Sequence, residues 1–195
     1  MKIVDILIDA AQLLGLNEES AILENATEES ELQMLAENEK IKKLFTLYKY
    51  AIREICTNYI PYSTSVKINT TDKQYSVGLL ENYLRVQSIT KNGELVKYKI
   101  INRNITFEED GEYEVNYASY PLVITMFEDI NFLQEFSPDI IVLNLCAYFS
   151  LAYGLFEEFE TFHEKYISRA ESLKNLRIFD TPCRRWEWET KKVLK

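Results

Sequence analysis

Apolar side chains in this sequence are spaced by three and four, then by two, then by three and four again, and few folds accommodate that order. From Ile41 to Tyr59 the apolar positions are Ile41, Leu44, Phe45, Tyr48, Ala51, Ile52 and Ile55. That spacing gives a helix one buried stripe. From Ser63 to Ser119 the period drops to two. In GEYEVNYAS, Tyr113, Val115 and Tyr117 alternate with Glu112, Glu114 and Asn116, the mark of a strand with one buried and one wet face. Beyond Tyr120-Pro121 the helical period returns. The expectation is an α+β protein, a helical bundle of about four helices with a small antiparallel β-unit inserted between helices 2 and 3. Residues 1–62 and 120–177 form the bundle, 63–119 the β-unit and 178–195 a C-terminal arm.

Local signals place the elements. Ile3, Leu7, Ala10 and Leu14 share the face of a first helix, and Gly15 stands where a left-handed cap would end it. The second helix has room to begin as early as Glu29, and Pro61 closes it. In the β-unit, SVKINT, YSVG, LRVQSIT and NITF read as short strands, and Asn92-Gly93 suits a tight type I′ turn. LVKYKII reads as one strand, with Val96, Tyr98 and Ile100 on one face, and Asp110-Gly111 as a turn, for five or six strands in all. Ser137 is the expected N-cap of the third helix, followed by Pro138 and Asp139. Residues 139–154 are apolar nearly all round, as in a helix buried within a bundle, and Gly154 interrupts them. Leu155, Phe159, Phe162, Tyr166, Ala170 and Leu173 then form the stripe of a fourth helix.

Charge is unevenly distributed. Between Asn17 and Glu39 there are eight glutamates and no lysine or arginine, which leaves 23 acids against 22 bases elsewhere, within a net charge of −9. Nucleic-acid grip over the whole surface is therefore not expected, since it needs clustered cations. The acidic run reads as a solvated helix face or loop; its sharper reading is a negative wall that repels passing DNA. Cys56, Cys146 and Cys183 are three, widely spaced and without a CxxC pair, as expected of free thiols in a reducing compartment. Asp5 and Asp9 break the apolar start, so no signal peptide is expected, and no run reaches the roughly 20 apolar residues of a membrane span. The thirteen tyrosines and ten phenylalanines suit a core or a contact surface equally.

Catalytic material is sparse. His163 is the single histidine, and five glycines leave little room for a phosphate loop. Glu160 and His163 have the Glu-x-x-His spacing of di-iron bundles, but a second histidine is missing. No enzyme, cofactor or metal site is expected. The end of the chain is richer: Arg184, Arg185, Trp186 and Trp188 join planar cations to both tryptophans, side chains enriched at binding hot spots.

The order of these pieces resembles the head–tail connector, or neck adaptor, proteins of tailed bacteriophages. The matching stretches are LLGL (13–16), YIP (59–61), YSVGLLENYLRVQSITKNGELVKY (75–98), GEYEVNYASYP (111–121), residues 147–173, and PCRRW (182–186). The resemblance implies a helical bundle holding a β-insertion, assembled as a ring, commonly dodecameric, beneath the portal. It implies an arm anchored in the portal protein by Arg184, Arg185 and Trp186, to which Trp188 is added on its chemistry. Expected partners are the portal protein, further neck or tail proteins, copies of the chain itself, and DNA that passes through the channel without sequence-specific binding. Membrane is not among them. Expected locations are the virion neck and, during assembly, the host cytoplasm. The acidic stretch 17–39 and the charged extension after Trp186 depart from the family pattern. The alternative is a cytosolic module whose β-unit captures a ligand or peptide.

Overall fold

The computed structural model describes residues 1–59, 62–130 and 138–178, with side chains as far as residue 172. The chain divides into two compact units, one from Met1–Ala51 with Thr125 onward and the other from Ile52–Ile124. Among the described residues there are six α-helices and seven strands, and every strand pairing is antiparallel.

The first unit is helical. Helix α1 (Ile3–Leu13) buries Ile3, Val4, Ile6, Leu7, Ala10 and Ala11 and keeps Asp5 and Asp9 in water. At its N-terminus the Asp5 carboxylate accepts the Lys2 N–H at 2.8 Å. The Ile3 and Val4 N–H groups donate to the Glu128 and Met126 carbonyls at 3.0 and 2.7 Å, and Ile130 N–H donates to Met1 O at 3.0 Å. The helix start is thus satisfied by a segment more than a hundred residues away in sequence. Gly15 (φ +70°) ends α1, with Leu16 N–H bonding to Ala11 O and Gly15 N–H to Gln12 O, the two bonds of a Schellman motif.

The acidic run is ordered helix. It forms α2 (Asn17–Glu24) and α3 (Glu31–Glu37), joined through a short 3-10 turn at Glu28–Ser30. Asn38 leaves helical geometry (φ −118°, ψ 103°), and its Oδ1 accepts the Ile41 N–H at 3.0 Å. The expected long second helix therefore starts at Glu39 as α4 (Glu39–Asn58), because Asn38 caps it and ends α3 at the same point. Helix α5 (Asp139–Ala152) is buried nearly all round, and α6 (Phe156–Ile178) packs along it through Tyr166 and Ala170. Pro138 occupies the N-cap of α5; Ser137, expected there, lies outside the described residues.

The second unit holds two sheets. Strands β1 (Tyr62–Thr70), β7 (Gly111–Ser119), β3 (Tyr83–Lys91) and β4 (Glu94–Leu95) form one in the order β1-β7-β3-β4. Strands β2 (Gln74–Ser76), β6 (Asn104–Thr106) and β5 (Lys99–Ile101) form the other in the order β2-β6-β5. Both sheets contribute to one apolar core that includes Ile68, Ile89, Ile105, Phe107, Tyr113 and Val115. β7 is central to its sheet, and its alternation is as read: Tyr113, Val115 and Tyr117 are buried between Glu112, Glu114 and Asn116.

One strand differs from expectation. LVKYKII is divided between β4 and β5, which belong to different sheets. Val96 and Tyr98 lie against the core in the stretch between them, while Ile100 is exposed. Two further tight turns pair non-glycine residues at positive φ, Asp72-Lys73 (69°, 56°) and Asn102-Arg103 (50°, 64°), beside the expected Asn92-Gly93 (56°, 84°). They join β1 to β2 and β5 to β6 at turns that carry no glycine.

Candidate assembly surfaces

Arg184, Arg185, Trp186 and Trp188 lie outside the described residues, so contact surfaces must be sought on the remainder of the chain. Glu160 and His163, the Glu-x-x-His pair, both lie on α6. The His163 ring stacks on Phe159 at 5.2 Å and tilts toward Tyr166 at 6.1 Å, while Glu160 is exposed. Among the described residues no group of three His, Cys, Asp or Glu side chains could hold a metal ion. Burial pushes the thiols of Cys56 and Cys146 up to about 12, so both remain protonated and weakly nucleophilic. Cys146 donates to the Ala10 carbonyl at 3.7 Å.

The α5–α6 corner gathers several exposed apolar side chains of the helical unit. Helix α5 ends in a second Schellman motif: Leu155 N–H bonds to Ser150 O at 2.9 Å and Gly154 N–H to Leu151 O at 3.2 Å, with Gly154 at φ +73°. The corner is thereby fixed by backbone bonds. It holds Leu151, Tyr153, Leu155 and Phe156 at 42 to 65% exposure, with Tyr153 stacked on Phe149 at 4.4 Å. Leu155, expected on the buried stripe of the last helix, stands outside it because the Schellman turn precedes the first residue of α6.

The acidic run divides by role. Six of its glutamates are exposed, whereas Glu19 and Glu31 are 6 and 7% exposed. Lys40 Nζ lies 2.9 Å from Glu19, and Glu31 accepts the Met126 N–H at 3.1 Å. Burial alone would raise the Glu19 carboxyl; the hydrogen bonds it accepts and the charge of Lys40 outweigh burial and hold it below its ordinary value. Between α2 and α3 runs an open groove of about 570 Å³ lined by Ala21, Ile22, Met34 and Glu37 among others. A second cleft of about 780 Å³, beside α1, α5 and α6, mixes Asp9, Asp139, Lys165 and Arg169 over Leu13 and Val142. Burial and the nearby Asp5 raise the Asp9 carboxyl. Its charges are mutually compensating, with Arg169 Nε 3.9 Å from Asp139.

On the β-unit, Leu79, Leu95, Ile100 and Ile101 are exposed. The signal that could have found both apolar surfaces is simple: large side chains at turns and at the ends of short strands, where neither period buries them. No family of known proteins matches this chain, and no curated protein matches its sequence.

Proposed function

We propose that this chain is a structural virion protein, a head–tail adaptor that forms a ring under the portal and joins the DNA-filled capsid to the tail. In this reading the helical segments act as a bundle of about four principal helices with the β-unit inserted after the second. The bundle packs side by side with its copies, and the β-unit presents a surface to a further neck or tail protein. The arm at Arg184, Arg185, Trp186 and Trp188 engages the portal protein. The protein resides in the neck, and in the host cytoplasm before assembly.

The observation that carries the reading is the rigid apolar corner from Leu151 to Phe156. Contiguous apolar surface held out in water marks a site of association. The family resemblance supplies the kind of association. A ring built from one chain needs two different faces per subunit, which close by rotation, and no reacting group. The test is electron microscopy of the protein mixed with the portal ring of the same particle. Density for a ring of this chain beneath the portal is the expected result. A protein that stays monomeric beside the portal and instead captures a small ligand or peptide through the β-unit would replace this reading with the binding module.

A further inference from the structure

Two faces of the helical unit carry opposite charge. On α4, Lys42, Lys43 and Lys49 are exposed around Tyr50, itself 57% exposed, and residues 39–51 contain four lysines and one glutamate. The ammonium of Lys49 is held over the Phe45 ring at 4.3 Å. On α6, Glu157, Glu160, Glu164 and Glu171 run along one exposed flank that begins beside Phe156. The cations of α6, Lys165 and Arg169, belong to its other flank and line the cleft shared with Asp9 and Asp139. Among the described residues, Lys40 pairs with Glu19, but neither Lys42, Lys43 and Lys49 nor these glutamates make an ion pair within 4.0 Å.

The spacing also matches. Lys42 and Lys49 are seven residues apart, as are Glu157 and Glu164, which places each pair about 10.5 Å apart along its helix. One row can therefore lie against the other with two opposite-charge pairs formed together. Self-pairing of either face would set like charges together, which disfavours a symmetric dimer through it.

We propose that the lysine face of α4 on one copy seats against the glutamate flank of α6 on the next, with Phe156 and the apolar corner as the desolvated centre and the charges as the rim. This assignment rests on the ring-adaptor reading, and specifies which faces make the ring. The contact is head to tail, the kind that closes a ring when the rotation per copy divides a full turn. An apolar centre with a charged rim is the ordinary anatomy of a specific interface.

The experiment is sedimentation of the full chain over a concentration series at low ionic strength, alone and with portal rings. It compares wild type, the pair Lys42→Glu with Lys49→Glu, and the pair Glu157→Lys with Glu164→Lys, each checked for folding by circular dichroism. Each double variant sets like charges against each other at both matched pairs, so its self-association should weaken about tenfold or more. An equimolar mixture of the two variants should recover assembly, because alternating copies restore every opposite-charge contact. A variant that assembles like wild type, or a mixture no stronger than either variant alone, overturns the α4–α6 contact and leaves the adaptor reading standing. Wild type that assembles neither alone nor on portal rings overturns the adaptor reading, and this contact with it.

Discussion

Glu31 shows how one residue can look like part of a solvated run and be structural. Its neighbours in the acidic stretch face water, but its carboxylate reaches the N–H of Met126, a fully buried residue, at 3.1 Å. Glu31→Ala would leave that donor unpaired in the interior and should cost about 2 kcal/mol of stability by denaturant unfolding; Glu31→Gln, which keeps an acceptor oxygen, should cost less. Glu19 makes a different prediction. Because its folded pKa is held below the ordinary 4.5, its stabilising effect is fully present above that pH and is lost as pH falls through the lower folded value. In Lys40→Ala, burial would act on Glu19 without the compensating cation. The stability difference between wild type and Lys40→Ala should therefore be largest near neutral pH and shrink well below pH 4.5, as read from thermal midpoints across a pH series.

At the scale of elements, helix ends decide more than helix interiors. Gly154 stands at φ +73°, and a Cβ added there would meet no atom within 4 Å. Gly154→Ala should therefore destabilise by about 1 kcal/mol through backbone strain alone, and Gly154→Asn by less, measured by denaturant unfolding. The helix-stop glycines Gly15 and Gly154 were legible in the sequence, since each follows a periodic apolar run. The end of α3 at Asn38 was not. An asparagine that caps the next helix can stand between two helical patterns without breaking the apolar period, so Glu31–Asn58 reads as continuous. The same blindness affected LVKYKII, where seven residues of strand character serve two sheets, and the turns at Asp72-Lys73 and Asn102-Arg103 reach positive φ without glycine.

For the whole molecule, the proposed role makes two predictions. Deletion from Thr181 onward removes the arm with Arg184, Arg185, Trp186 and Trp188. The remaining chain should keep the circular dichroism spectrum and cooperative melting of a folded protein while losing co-sedimentation with portal rings. The acidic run can be tested only where it is exposed, because Glu19 and Glu31 hold the fold. Glutamine at Glu18, Glu24, Glu28, Glu29, Glu37 and Glu39 should leave ring formation intact. If this run lines the channel, DNA release from assembled particles should become slower, because a negative wall repels DNA.

What could be read from residue order alone was local: period, caps, turn glycines and the balance of charge, all set by neighbours within a few positions. The burial of Tyr113, Val115 and Tyr117 was legible because their strand alternates. The tertiary structure decided everything that depends on distant partners. It took the Glu128 and Met126 carbonyls to satisfy the start of α1, drew two glutamates out of an acidic surface, and sent one apolar run to two sheets. Those outcomes arise because buried backbone groups and carboxylates must find partners, and in a folded chain the available partner is set by packing rather than by sequence proximity.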